Sequence, residues 1–395
     1  VPASTDLARS DVRAADRLAR VRRIAEEVAG PRADDVDRDA RFPQEALDAL
    51  RAEGLLGCMV PPELGGEGAT VGEVSELVTA LGRACGSTAM VFAMHQIQVA
   101  CLVRHGGTAL LDELLAGVAA DGLLLASATT EIGVGGDVRT STCAVERRDG
   151  RFRLEKLAPV ISYGVHADAV LATARRTSDS PPSDQVLVAC RRPALELEAT
   201  SGWDTLGFRG TCSLGFRLRV EDDEGCVLPA PYGEISSRTM LPTSHVLWAS
   251  VWLGLATAAA DRARAHVRAD ARKQPGTTPP AAVHLAELVA VHQQLDDLVH
   301  GAARCCDEAA DDPDVLDGMA FALRMNALKV SASQLVVDVA NRALGVCGMA
   351  GYRNDSAVSI GRILRDAHGA AVMIHNDRVN ANNAQMLLIH RGDLG

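Results

Sequence analysis

Lysine is almost missing from this chain. Lys156, Lys273 and Lys329 are three of its 40 basic residues, and arginine supplies the rest. With the abundant alanine, that usage reads as the codon bias of a G+C-rich genome rather than as a function. Basic charge is also outweighed by 51 acidic residues, which leaves a net charge of −11. A surface of that sign disfavours non-specific nucleic-acid binding and attraction to anionic lipid. No CxxC pair occurs among the ten scattered cysteines, which argues against a metal or thioredoxin-like framework. Reduced thiols in a cytoplasmic protein are the expectation, with Cys305-Cys306 packed in a helix. The N-terminus has no apolar stretch after a basic start, so no signal peptide is expected. No window reaches the roughly 18 to 20 apolar residues of a membrane span. The richest apolar segment, 247–260, carries Trp248 and Trp252 and reads as a buried helix. A GxGxxG after a strand, a P-loop lysine motif, HExxH, GxSxG and zinc-spaced Cys/His sets are all absent.

What is present is apolar residue in quantity. A hydrophobic content of 47% is enough for large buried cores and excludes a disordered chain. The spacing of those residues changes twice. Up to about residue 120 they recur every three or four positions, which predicts helices over Val12–Ala29, Glu45–Glu53, Val71–Ala84 and Ser87–Val103. The last is apolar nearly all round and should be central. From about 121 to 235 the runs are short and bounded by turns. Strands are predicted over Ser141–Glu146, Arg151–Leu154, Ala169–Ala174, Gln185–Ala189 and Phe216–Val220, with a hairpin turn at Asp149-Gly150. Helical spacing returns over Met240–Lys273, Ala281–Ala310, Met319–Leu344 and Arg362–Leu388. The division expected is therefore 1–120 helical, 121–235 β and 236–395 helical. This order is not the strand–helix alternation of a doubly wound sheet.

Four segments carry the chemistry. Phe42-Pro43, Pro61-Pro62-Glu63-Leu64-Gly65-Gly66 and Cys85–Met90 form the first. Thr129–Asp137, with Val160–Gly164 and Ala167-Asp168 further on, forms the second. Trp203–Thr211 is the third. Gly348–Tyr352, followed by Arg365-Asp366-Ala367, is the fourth. In the second segment, hydroxyls and backbone N–H groups at Thr129 and Thr130 suit the polar edge of an isoalloxazine ring. The glycines after Glu131 let backbone approach a phosphate-bearing ligand.

In their joint order and spacing, over about residues 35 to 390, these segments resemble the acyl-CoA dehydrogenase family of flavoproteins. The resemblance implies an α+β fold: an N-terminal helical domain, a middle β-barrel-like domain and a C-terminal four-helix bundle. It implies non-covalent FAD at the junction and a homo-oligomer, tetramer or dimer. Thr129, Thr130, Gly136, Ser162, Gly348 and Gly351 fall at flavin-side positions. Arg268 matches the arginine that reaches the FAD pyrophosphate across a subunit interface, a task suited to its forked donors. Several positions depart from the family pattern. Ile132 replaces a proline, Gly136 a serine, Val160 an aromatic ring, Met349 a glycine, and Pro279 stands where a glutamine is usual.

The implied reaction is α,β-dehydrogenation of an acyl thioester, carried by coenzyme A or a carrier protein, with an electron-accepting flavoprotein or O₂ downstream. It needs a carboxylate base within reach of the α-proton. The usual glutamate position, nine residues beyond Arg365, is Ile374, and the alternative position, on the long helix, is Ser244. Asp377, about one turn beyond Ile374, and His245, beside Ser244, are the candidate bases, with burial beside Trp248 keeping His245 neutral. The alternative is a flavin-dependent monooxygenase of the same fold. A third possibility is a flavin-fold protein that only binds a partner. The purified protein should be yellow with FAD, and Arg268→Ala should weaken FAD retention. Unchanged retention, measured as flavin per chain after gel filtration, would remove the Arg268 assignment.

Overall fold

A computed structural model of the chain describes residues 2–133 and 139–392, with 2–11 described by backbone alone. The N-terminal part is helical. Helix α1 (Pro2–Ile24) runs through a π-turn into α2 (Gly30–Arg38), and α3 (Gln44–Ala52), α4 (Val71–Ala84), α5 (Gly86–His105) and α6 (Ala109–Asp121) follow. Thr70 starts α4 with a reciprocal capping box to Glu73. Helix α5 is the central helix expected. By length and a mean hydropathy of 1.3 it could cross a membrane, contrary to the window count, but 89% of that stretch is buried inside the fold.

The strands are β1 (Leu125–Ala128), β2 (Glu146–Arg148), β3 (Arg151–Ile161), β4 (Ala169–Arg175), β5 (Gln185–Arg191), β6 (Glu196–Ser201) and β7 (Leu214–Asp223). They form two sheets, ordered β1-β4-β5 and β2-β3-β7-β6. Only β1 and β4 pair in parallel. Asp149 and Gly150 turn β2 into β3 with φ of 52° and 74°, the left-handed pair that a tight hairpin requires. Along β3 burial alternates residue by residue, so Phe152, Leu154, Lys156 and Ala158 face inward. The strand expected over Ser141–Glu146 is mostly a loop, because its hydroxyls and amides are engaged by a buried carboxylate instead.

The C-terminal part contains α7 (Tyr232–Ile235), α8 (Leu241–Lys273), α9 (Ala281–Glu308), α10 (Pro313–Leu316), α11 (Met319–Tyr352), α12 (Gly361–Gly369) and α13 (Asn376–Ile389). Helices α8, α9 and α11 pack on one another, and α13 lies against α11. The single helix expected over Arg362–Leu388 is two helices separated by a turn. Helix α8 is buried along most of Pro242–Ala259 by its own chain, so its apolar character already has a partner without a second subunit. It meets α4 at two glycines. A Cβ on Gly254 would lie 2.5 Å from the Thr79 carbonyl and 2.7 Å from Gly82 Cα, and one on Gly82 would lie 2.8 Å from the Val251 carbonyl. The helices touch backbone to backbone here.

Gly254→Ala should therefore force the two helices apart. Overpacking of this kind costs about 1–3 kcal/mol. The expected result is a lowered thermal unfolding midpoint, and an unchanged midpoint would show that the crossing tolerates a methyl group.

Candidate active site

Where the three parts meet, the chain encloses a cavity of about 670 Å³. Its sheet wall carries hydroxyls: Thr129 and Thr130 after β1, Ser162 after β3, and Thr211 and Ser213 before β7. Several are already linked. Ser213 donates to Ser162 Oγ at 2.8 Å, the Thr211 and Ser213 hydroxyls lie 2.7 Å apart, and Thr211 donates to the Phe208 carbonyl at 2.8 Å. The opposite wall is helical and largely apolar, with Met90, Met94 and Ile97 of α5 and Trp248 of α8. Two polar atoms on that wall, Gln98 Oε1 and Trp248 Nε1, are buried without a hydrogen-bond partner. Helix α12 and the turn after it close the cavity with Arg365, His368 and Ile374.

The sheet wall is held by a buried ion pair. Glu131 follows Thr130 directly. Its carboxylate accepts from the Thr142 and Cys143 amides at 3.1 and 2.9 Å and from the Ser141 hydroxyl at 2.7 Å. Lys156, inward-facing on β3, donates to Glu131 at 3.2 Å and to the Thr173 carbonyl at 2.7 Å. Burial alone would raise the Glu131 pKa. The hydroxyls of Thr142 and Ser141 and the Lys156 charge overcome it and hold the group at about 2. A loop of buried polar groups is thereby fully paired, which a buried ion pair needs to be tolerated.

The Trp203–Thr211 segment is fixed to α12. Gly207 allows this, since a Cβ there would sit 2.3 Å from the Arg365 carbonyl. Asp366 then accepts from the Phe208 amide at 2.6 Å, and burial raises its pKa to about 6. Arg365 pairs with Asp37 of α2. Arg365 and Asp366 thus each tie α12 to a different part of the chain.

Thr129, Thr130 and Ser162 meet on one wall as expected. Gly136 lies outside the described residues. Arg268 is exposed on α8 and does not line the cavity, so any role at a flavin of this chain would require a neighbouring subunit. Gly348 and Gly351 do not line it either. Gly348 breaks α11 with a φ of 54°, and Gly351 leaves space that Cys347 and Ile360 occupy.

The candidate bases also lie elsewhere. His245 is buried and tilted against Trp248, with ring centroids 6.3 Å apart. Burial and the Lys329 charge lower its pKa to about 4, so it is neutral as expected. Its Nδ1, however, contacts the Met325 carbonyl on α11 at 3.1 Å, and the ring is not part of the cavity. Asp377 lies in the first turn of α13, where its amide donates to the Nδ1 of the capping His375 at 3.3 Å, and its side chain is 88% exposed. The two family positions for a base, Ile374 and Ser244, do line the cavity. Among the described residues, no Asp or Glu lines it. The turn carrying Ile374 is clamped from behind: buried Lys329 donates to the Ile374 carbonyl and, at 2.7 Å, to Asn376 Oδ1. Burial lowers the Lys329 pKa to about 8.

Sequence reasoning missed Gln98, Lys156 and Lys329. Lys156 and Lys329 had one available signal, since lysine is scarce and Lys156 falls on an inward position of an alternating strand.

A row of hydroxyls in a cavity otherwise largely apolar fits a ring whose one edge is polar. Thr129, Thr130 and Ser162 would meet that edge. Such a site, at the junction of two helical parts and a β part, defines a flavin-binding oxidoreductase. The family descriptions "Acyl-CoA dehydrogenase, N-terminal domain" and "Acyl-CoA dehydrogenase, C-terminal domain" match residues 16–122 and 236–380, and the chain belongs to the acyl-CoA dehydrogenase family. It is a flavoenzyme of that family. It is 26% identical to the amino sugar nitrososynthase DnmZ of Streptomyces peucetius over 357 residues, 86% of this chain and 84% of the relative. It is also 26% identical to the probable acyl-CoA dehydrogenase fadE25 of Mycobacterium leprae, over 88% of both chains. Its fold matches FMN-bound TdsC from Paenibacillus sp. A11-2, a dibenzothiophene monooxygenase, with a TM-score of 0.81 at 18% identity, covering 96% of this chain and 98% of that one.

Lys156→Met leaves the Glu131 carboxylate buried without its counter-charge and should cost roughly 3 kcal/mol. Because the folded pKa of Glu131 lies below its ordinary 4.5, its contribution is complete above 4.5 and is lost as pH falls towards about 2. In the variant the carboxylate should protonate at higher pH, so acid unfolding should begin at higher pH than in the unaltered protein. Coincident acid-unfolding curves for the two proteins would contradict this account.

Proposed function

We propose that the chain is a flavin-dependent monooxygenase that oxygenates the nitrogen of an amine, with an amino sugar as the substrate class. The observation that carries this reading is that no carboxylate lines the cavity among the described residues. Removal of an α-proton from a thioester needs a base of suitable pKa within hydrogen-bond reach. Ile374 and Ser244 stand at both family positions for that base, and neither can serve as a carboxylate. Asp377 and His245 do not border the cavity. Oxygen transfer to an amine has no such requirement, because the nitrogen lone pair is itself the nucleophile.

The balance is R–NH₂ + O₂ + 2 e⁻ + 2 H⁺ → R–NHOH + H₂O. Bound reduced flavin would supply the two electrons and activate the oxygen, with reduced nicotinamide, directly or through a separate reductase, as the source of those electrons. This chain's residues bind and orient. Thr129, Thr130 and Ser162 would hold the ring's polar edge, and Met90, Met94, Ile97 and Trp248 would keep water from the site. The name of the Streptomyces peucetius relative supports the amine class, and the TdsC fold match shows that a monooxygenase uses the same architecture.

Dehydrogenation of an acyl thioester is the second reading. The fadE25 relative and the apolar α5 wall, which suits an acyl chain, favour it. The two readings separate in one experiment. Under anaerobic conditions a panel of acyl thioesters should leave the flavin absorbance unchanged. With reduced flavin and air, an amino sugar should stimulate oxygen uptake and yield its hydroxylamine. Asp377→Asn should leave that activity within roughly twofold, not the ~100-fold loss that removal of a general base produces. Bleaching by a thioester would establish dehydrogenation instead.

A further inference from the structure

The helical wall of the cavity contains a feature that flavin binding does not use. Gln98 of α5 is 2% exposed, and its Oε1 has no partner. Trp248 of α8 has a buried indole N–H, also without a partner. Both sit across from the hydroxyl row, among methionine and isoleucine side chains. A buried polar atom left unpaired costs on the order of 1–3 kcal/mol, so an acceptor and a donor kept open in an apolar wall point to a ligand that pairs them.

The chemistry of that ligand follows from the charges around it. The titratable groups lining the cavity are Arg365, His368 and Tyr232 among the described residues. Arg365 is cationic and is turned to Asp37. The Tyr232 phenol contacts Met240 Sδ at 3.4 Å, and burial raises its pKa, which keeps it neutral. Behind the wall, the Lys329 charge helps to keep the buried His245 neutral, and neither group is anionic. Among the described residues, no lining carboxylate offers a counter-charge to an ammonium. Desolvation and the nearby cation both disfavour a second positive charge.

We propose that Gln98 and Trp248 form a recognition site for an uncharged amine bearing a neighbouring oxygen. The inference rests on the amine-oxygenase reading and names how that site selects its substrate. Gln98 Oε1 accepts an N–H of the amine. The Trp248 N–H donates to the adjacent substrate oxygen. The reverse assignment fails, because an indole N–H bound to the amine nitrogen would occupy the lone pair that must attack. An ammonium has no lone pair to offer, so a site with no carboxylate among its described residues selects the protonation state that can react.

The test uses FAD-loaded protein titrated with methyl glucosaminide, and with methyl glucoside as its hydroxyl counterpart, read by flavin difference absorbance. The pH runs from one unit below to one unit above the pKa of the probe amine. Amine affinity should rise about tenfold over the two units, about fivefold of it across the lower one, as the neutral fraction does, and level off above. Glucoside affinity should be independent of pH. Gln98→Leu should weaken amine binding about tenfold with flavin content unchanged. Gln98→Glu should reverse the pH dependence, since a carboxylate there pairs with the ammonium.

Tighter wild-type binding at low pH overturns the proposal. So does unchanged affinity in Gln98→Leu, loss of flavin from that variant, or no binding of the amine probe. Oxygen uptake by reduced enzyme is read on the same samples. Uptake without pH-dependent binding removes the recognition site and leaves the oxygenase reading. The expected binding without uptake removes the oxygenase reading and leaves an amine site.

Discussion

Helices α4 and α8 touch through their backbones at Gly82 and Gly254, and the width of the cavity follows from that contact. Six residues before Gly254, about 9 Å along the helix axis, α8 presents Trp248 to the cavity. Helix α5 packs against both α4 and α8, so the methionines and Gln98 on it take their position from the same crossing. A side chain at either glycine would lever the whole helical wall relative to the sheet wall. Packed interiors are stiff enough to carry such a displacement over that distance.

The charges near the cavity are arranged around it rather than in it. Glu131 with Lys156 secures the sheet wall, Arg365 with Asp37 joins α12 to α2, and Asp366 holds the segment before β7. Each pair or bond links two parts of the chain that are distant in sequence. Apart from Arg365 and His368 on α12, the described lining is left with hydroxyls, thioethers, the Gln98 amide, two indoles and hydrocarbon. In such a medium an unpaired ion is expensive and a neutral nucleophile is not. That difference separates a site for proton removal from a carbon acid from a site suited to oxygen transfer.

The change of hydrophobic spacing near residues 120 and 235 made the helix–sheet–helix order legible, because packing periodicity survives without any tertiary information. Of the motif positions, Thr129, Thr130 and Ser162 border the cavity and Gly348 and Gly351 do not, while Ile374 and Ser244, singled out as positions for a base, border it too. Direction was less accessible. Asp377 and His245 are neighbours in sequence of cavity positions, yet one faces solvent and the other faces α11. A turn at 370–375 that carries no proline breaks the helical register between Ile374 and Asp377. Gln98 was invisible for a different reason. Helix α5 is buried nearly all round, so no solvent-facing stripe reveals which side of it meets the cavity. Strand β1, with its sequence Leu-Ala-Ser-Ala, lacks the β-branched residues that mark a strand and is set by its pairing with β4.

The clamp on Ile374 has an evolutionary meaning. Lys329 grips a main-chain carbonyl and the neighbouring Asn376, so it fixes where the side chain at 374 emerges without depending on what that side chain is. Identity at this position can therefore change while its location is inherited. Ser244 reaches the same space from another helix, which gives the lineage two independent sockets for one functional group. Crossing between two kinds of chemistry then needs a codon change at a socket rather than a rebuilt scaffold, and descendants of one ancestral fold can gain or lose a carboxylate without passing through an unfolded intermediate sequence.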